Sequence, residues 1–461
     1  VVDAAYYHDW AQRIVSGDLL SKSEGAFLMN PGYPYFLALV YGLFGTNTAF
    51  LVLLQYALGI ISCILVYLIT RKVSTQPAAV MAGVLAATYG ISIFYESMRL
   101  TACLINFLNL SSLFCLLRGN SEQKNHLWVL SGILLGLSAL VRPNILIFLP
   151  ILLIWILLVG IPQPFRRFAS LALPIFVTLM PVILVNHARC GAFALTVSGG
   201  INFYIGNNSS ANGTHSKIDN ITHEVYPFKR EIVREASRRS GLRLELAESS
   251  SYWFREGIGF ILGNPKSYFR LLWTKIMLFW NRYEIPANLS FDFVRGEFRA
   301  FDFLPGFGLV AVLGSVGILM LLKGKEPNSL LIFSYFAAHL LSNLLIFVLA
   351  EYRYPAAVIL MVFSGHAIHV CYSMLRARNY RSLGLAAGVA VIAATVVDHE
   401  IPYDKMEDPT YLNLSTAYSD AGRRIEAIRF LESDVERSRK AGKGPDAIIL
   451  EHLGIAHFEE G

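Results

Sequence analysis

The chain has 461 residues, of which 54% are hydrophobic and 16% charged, with a formal net charge of +6. A soluble domain carries about 25% charged residues, so this deficit, spread over long apolar runs, excludes an ordinary soluble globular protein and implies a polytopic membrane protein. The positive excess is not a nucleic-acid signal, because the basic residues fall largely in short loops between the apolar runs.

In chain order, a polar, acid-led helix comes first, Asp3-Ala4-Ala5-Tyr6-Tyr7-His8-Asp9-Trp10-Ala11, followed by Asn30-Pro31-Gly32-Tyr33-Pro34. The stretch 35–45 reads as an apolar helix too short to cross. Membrane spans are expected at about 47–70, 77–94, 100–117, 127–141, 143–160, 169–187, 303–322, 329–349, 355–373 and 382–397. The fold class is therefore all-α, a polytopic bundle of ten or eleven spans. The chain opens on Val1 and closes on Gly461 in mid-element, and a further span is expected upstream of Asp3.

Arg71, Lys72, Arg118, Lys124, Arg166, Arg167, Lys323, Lys325, Arg376, Arg378 and Arg381 lie in one alternating set of loops, which the positive-inside rule makes cytoplasmic. The opposite face then holds the external loops 1–46 and 188–302, the loop at Glu96, Arg142, the turn Glu351-Tyr352-Arg353-Tyr354-Pro355, and everything after residue 397. Loop 188–302 is too long for a connector. It is read as a turn-rich stretch from Gly199 to Asn208, two amphipathic helices near 224–239 and 245–262, and an interfacial helix at 266–282. Asn207, Asn208, Asn212, Asn220 and Asn288 stand in Asn-x-Ser/Thr sequons. The five cysteines lie mostly in or beside apolar runs and read as buried small hydrophobes, not a disulfide framework.

After residue 400 the pattern changes. Helical spacing runs from Tyr411 to Leu431, and Leu453-Gly454-Ile455-Ala456-His457 echoes Leu414 to Tyr418. This resembles a tetratricopeptide repeat, a helix–turn–helix unit. The expected domains are a membrane-embedded part, 1–400, and a short helical segment, 401–461.

The candidate chemistry lies on the external face. Asp3, Tyr7 and Ala11 share a helix face at i, i+4, i+8, and the Pro-rich stretch Pro31-Gly32-Tyr33-Pro34 follows just before the membrane. With these residues the chain resembles the C-type glycosyltransferases, polytopic enzymes that use lipid-phosphate sugars, and within them the protein O-mannosyltransferase and aminoarabinose transferase branch. Ala4 stands where many of those enzymes carry a second acid. The resemblance implies inverting transfer of a sugar from a polyprenyl-phosphate donor to a hydroxyl acceptor, protein or glycolipid. Asp3 would be the general base.

Glu96 is the second catalytic candidate, assisting a metal or the acceptor. Its bland alternative is a surface pair with Arg99 at i, i+3. A divalent ion is implied by the family alone, and no His/Cys/Asp cluster in the sequence demands one. Candidate substrate-binding residues are Tyr7 and Arg99, the cations Arg142, Lys275 and Arg353 for the donor phosphate, and Asn202, Tyr204, Asn207 and Asn208 for the sugar. Each cation has an alternative as a side chain snorkelling to the interface. Arg353 sits in a turn resembling the Arg–Pro-containing turn of those enzymes.

The expected partners are the lipid-linked donor, membrane lipids and a protein acceptor presented by the tetratricopeptide-like segment, with no nucleic acid. The expected location is a bacterial inner membrane, with the site and the C-terminal segment on the periplasmic side. Readings from other classes are a transporter or flippase and a membrane-anchored scaffold. The near absence of acids inside the spans and the one-sided polar groups favour the enzyme.

Overall fold

The computed structural model describes residues 2–216, 218–221, 225–401, 408–440 and 447–460. Helices dominate, and the only strand pairing among these residues is an isolated bridge between Ile218 and Ile221. The amphipathic opening forms α1 (Val2–Val15), and α2 (Gly32–Phe44) begins inside the Pro-rich stretch. The apolar runs form α3 (Thr48–Arg71), α4 (Gln76–Thr88), α5 (Gly90–Glu96), α6 (Ala102–Ser121), α7 (Asn125–Val141), α8 (Phe148–Val159) and α9 (Pro164–Cys190). The long loop contributes α10 (Gly199–Gly206), α11 (Val225–Ser240), α12 (Leu246–Gly263), α13 (Pro265–Trp280) and α14 (Phe291–Glu297). Then come α15 (Phe307–Leu322), α16 (Pro327–Leu345), α17 (Ala350–Arg376) and α18 (Tyr380–Val397), and after them α19 (Thr410–Asp420), α20 (Arg424–Lys440) and α21 (Ala447–Glu460).

Every expected span is helical. Among the described residues seven helices are long and apolar enough to cross a membrane, and the pair α4–α5, bent by 51° at Tyr89, has the geometry of a broken span or a re-entrant loop. The apolar helix α7 and the segment 143–159 that contains α8 are shorter than that length. The chain is thus an integral, multi-pass membrane protein. Its bundle is centred on α17, buried almost without interruption from Ala350 to Gly365 and packed against α15, α4, α16, α3 and α6. By contrast α9 and α18 keep most of their apolar side chains outside, as lipid-facing helices do.

Two features of the long loop depart from the sequence reading. The glycine-rich stretch 199–206 is a helix, not a run of turns. Its glycines serve close approach: a Cβ on Gly200 would lie 1.8 Å from the Ser250 carbonyl oxygen, and one on Gly206 would lie 1.8 Å from that of Ile346. They seat α10 against α12 and against the chain leaving α16. The interfacial helix forms as α13, but its Lys275 points into the protein.

The first loop is sewn to the bundle. The Trp10 indole donates to Ser21 Oγ at 2.7 Å, and the Phe27 amide donates to Asn186 Oδ1 on α9 at 2.8 Å. Tyr7 meets Tyr33 edge-on, with centroids 5.3 Å apart, which fixes α1 on α2.

Candidate functional site

The helical spacing of α1 puts Asp3 at its open end with Tyr7 one turn below. Asp3 is partly buried. Its Oδ2 accepts a hydrogen bond from Asn288 Nδ2 at 3.0 Å, 285 residues away in sequence, and Oδ1 accepts none from the described residues. Burial raises the Asp3 pKa above the usual carboxylate range. The Asn288 bond pulls the other way, the Glu351 charge adds to the rise, and Arg142 lowers it. Tyr7 is pushed well up by burial and by the Asp3 charge, so it stays a neutral phenol.

Arg142 closes the cluster. It lies between α7 and Pro143 with φ −153° and ψ 112°, the extended geometry that a following proline favours. Its guanidinium pairs with the Glu351 carboxylate, donates to Thr101 Oγ1 at 2.8 Å and lies 4.3 Å from the Tyr352 ring centroid. Thr101 in turn donates to Glu351 Oε1 at 2.8 Å. On α16 the buried Asn343 donates to the Tyr352 carbonyl at 3.2 Å, while Asn343 Oδ1 and His339 Nε2 have no partner among the described residues. The cluster therefore joins one carboxylate whose second oxygen bonds no described residue with one ion-paired Arg. Tyr7 and Arg142 both lie within electrostatic reach of Asp3.

Glu96 is elsewhere. It ends α5, is 9% exposed, and its carboxyl group lies against Gly59 of α3. Of the alternative pair with Arg99 no bond is seen among the described residues, and Arg99 Nη2 donates instead to Thr48 Oγ1 at 2.7 Å. Nothing among the described residues connects the Glu96 carboxyl with Asp3.

Arg353, Lys275, Asn207, Asn208 and Tyr204 have polar atoms engaged inside the fold. Arg353 does not snorkel to the interface. It is 1% exposed and donates to the carbonyls of Phe279 (2.9 Å), Asn281 (2.5 Å) and Tyr283 (2.9 Å), to Glu284 Oε2 (2.8 Å), and stacks 3.7 Å from the Phe307 centroid. Lys275 is fully buried, bonded to Asn207 Oδ1 (3.1 Å) and the Leu344 carbonyl (3.0 Å), and burial pushes its ammonium down to about 7. Asn207 also donates to the carbonyls of Phe203 and Leu345, and Asn208 caps its own turn through Tyr204 and Ser210. Tyr204 accepts from Arg239 at 3.1 Å within the α10–α12 packing, whereas Asn202 is partly exposed and its amide bonds no described residue. Of the sequon asparagines, Asn207, Asn208 and Asn288 are buried.

Sequence reasoning missed Asn288 as a partner of Asp3, and Glu351 and Thr101 as partners of Arg142. Glu351 left a trace, an acid in a turn beside spans almost free of acids. The Asn288 link carries no local signal.

A divalent ion does not fit the residues present. Glu351 is already neutralised by Arg142, one Asp3 oxygen is taken by Asn288, and no group of three or more His, Cys, Asp or Glu among the described residues is placed to hold an ion. No step below passes through one.

Comparison with known proteins gives one family. Residues 29–185, from the Pro-rich stretch to near the end of α9, match the family described as dolichyl-phosphate-mannose-protein mannosyltransferase. This agrees with the resemblance drawn from the first loop and with the glycosyltransferase class it implies. Curated proteins gave no match. Similar solved structures include the apo oligosaccharyltransferase of Archaeoglobus fulgidus, at 16% identity and TM-score 0.44, covering 86% of this chain and 51% of that one. The oligosaccharyltransferase AglB of the same organism, in complex with an inhibitory peptide and a dolichol-phosphate, gives 16%, 0.42, 92% and 50%. ArnT from Cupriavidus metallidurans bound to undecaprenyl phosphate gives 12%, 0.38, 80% and 73%. The chain thus spans about half the length of the two archaeal chains, and likeness at this level carries no argument about activity.

Proposed function

We propose that this protein transfers a sugar from a polyprenyl-phosphate donor to a hydroxyl acceptor on the outer face of the membrane, with inversion, and that Asp3 is the general base. The observation that carries the reading is the Asp3 carboxylate: Asn288 holds one oxygen, the other is bonded to no described residue, and it sits partly open at the end of α1 beside Arg142. In the proposed step Asp3 Oδ1 takes the proton of the acceptor hydroxyl while that oxygen bonds to the anomeric carbon. The bond from that carbon to the phosphate oxygen breaks, and the lipid phosphate leaves as an anion. Arg142 is the cation whose charge acts at this place, and its share in holding the departing phosphate is part of the proposal. Glu96 is the alternative base. Orientation follows the charge of the loops, in a bacterial inner membrane with the site periplasmic. The helical pair α19–α20, tethered on the same face, presents a protein acceptor in the manner of a tetratricopeptide unit.

The test is transfer from defined radiolabelled lipid-phosphate sugars by the purified full chain. Asp3→Asn keeps the shape and removes the proton acceptor, so turnover should fall by about 10² or more with donor affinity little changed. An Asn variant at full turnover removes Asp3 as base and leaves Glu96. No transfer from any lipid-phosphate sugar by the wild type would favour a transporter or a scaffold.

A further inference from the structure

The segment that carries Asn288 is gripped from behind by the C-terminal helices. Asn413 Nδ2 on α19 donates to the Asn288 carbonyl at 2.6 Å, and the Ser290 amide donates to Thr410 Oγ1 at 2.8 Å. These two bonds, one turn apart on α19, hold the backbone on either side of Leu289. All four residues are buried: Thr410 0%, Ser290 3%, Asn413 5% and Asn288 6% exposed. Rings secure the same contact, with Phe293 of α14 lying 5.7 Å from Tyr411 and 6.3 Å from Phe430 of α20. On the opposite side of this segment the Asn288 amide reaches Asp3.

We propose that α19 is a positioning element for the reaction: Thr410 and Asn413 set the backbone at 288–290 so that the Asn288 amide orients Asp3 and leaves Oδ1 for the acceptor. This rests on the reading of Asp3 as the base. A backbone held on one side only could rotate the amide away, and the carboxylate would lose the bond that selects its reactive oxygen. The C-terminal segment then bears on the chemistry itself, apart from any acceptor it presents. Small displacements of a reacting group are costly, so tension on α19 from a bound partner would be felt at Asp3.

The groups facing Asp3 predict how this is seen in a pH profile. They are Tyr7 on α1, Glu351 and Tyr352 on α17, Arg142 after α7, and Asn288. Among the described residues only Asn288 bonds the carboxylate directly, and its bond favours the charged form. Removing it must move the acid limb of kcat to higher pH, because the base then holds its proton more tightly.

The experiment uses the full chain and the donor established for the wild type. Asn288→Ala should lower kcat about tenfold, leave donor KM unchanged and move the acid limb upward. Asn413→Leu and, as a milder variant, Thr410→Val should do the same in part. The double variant Asn288→Ala/Asn413→Leu should be no worse than Asn288→Ala alone, since both act through one bond. A wild-type kcat and acid limb in both α19 variants, beside an impaired Asn288→Ala, would overturn the inference and leave the base assignment standing. Additive losses in the double variant would do so too. Full turnover in Asp3→Asn would instead reject the base assignment, and the role of α19 with it.

Discussion

Removing the Arg353 guanidinium should destabilise the protein, not weaken its hold on the donor. The side chain is 2% exposed and its partner Glu284 6%, with 2.8 Å between them. Three backbone carbonyls from Phe279 to Tyr283 depend on the same two nitrogens. In Arg353→Ala the Glu284 carboxylate is left buried and unpaired, and stranding one partner of a buried pair costs about 3–5 kcal/mol. Spread over a chain of this length, that is a fall on the order of 5 °C in thermal midpoint. Arg353→Lys restores a charge but offers three donors without the planar fork, so it should recover only part of the loss. Arg353→Met/Glu284→Gln removes both charges and should recover more. The assay is thermal unfolding in detergent, with donor KM measured on the same preparations. Arg353→Ala with a wild-type midpoint and a raised donor KM would refute the reasoning and return Arg353 to the donor phosphate.

Other predictions follow from neighbouring groups. Lys275 has its pKa pushed down to about 7, while the unfolded chain's lysine titrates near 10.4. Between those values the unfolded state binds more protons, so stability should rise with pH from about 7 to about 10, by at most about 1.4 kcal/mol per pH unit. In Lys275→Met that rise should vanish, and an unchanged slope would place the charge elsewhere. Glu96→Gln should keep turnover within a few-fold of wild type, since its carboxyl faces Gly59 and not the Asp3 cluster; a loss matching Asp3→Asn would reverse the assignment. A cysteine at Asp219 should react with a membrane-impermeant thiol reagent in intact cells, and one at Lys323 should not. The reverse pattern would put the site on the wrong face.

The spans were legible because twenty apolar residues in a row leave few alternatives. Two helices of the long loop, α11 and α12, followed from their amphipathic pattern and formed within a residue or two of where it put them. Asp3 and Tyr7 could be paired because helical spacing is local. What could not be read was tertiary. Arg353, Lys275 and Asn207 look like surface groups by residue type and position, yet each is drawn inward by backbone carbonyls exposed where helices end or break. Gly200 and Gly206 suggested turns because their use, letting two backbones touch, depends on Ser250 and Ile346 arriving from elsewhere. Asn288 looked like a glycosylation acceptor, and only the fold shows its amide turned to Asp3.

The bond network around Asn288 also sets an order of events in biosynthesis. Its three participants come from the start, the middle and the far end of the chain, with Asp3 and Asn413 meeting at one residue. Asp3 emerges before Asn288 and waits some 285 residues for that bond. The Asn288 backbone in turn has no anchor until another 125 residues have been made. Contacts of such separation form late, after the spans between them are in place. A nascent chain halted after α18 would lack the two α19 bonds to the backbone at 288–290. Assembly of this network therefore waits until α19 has been made.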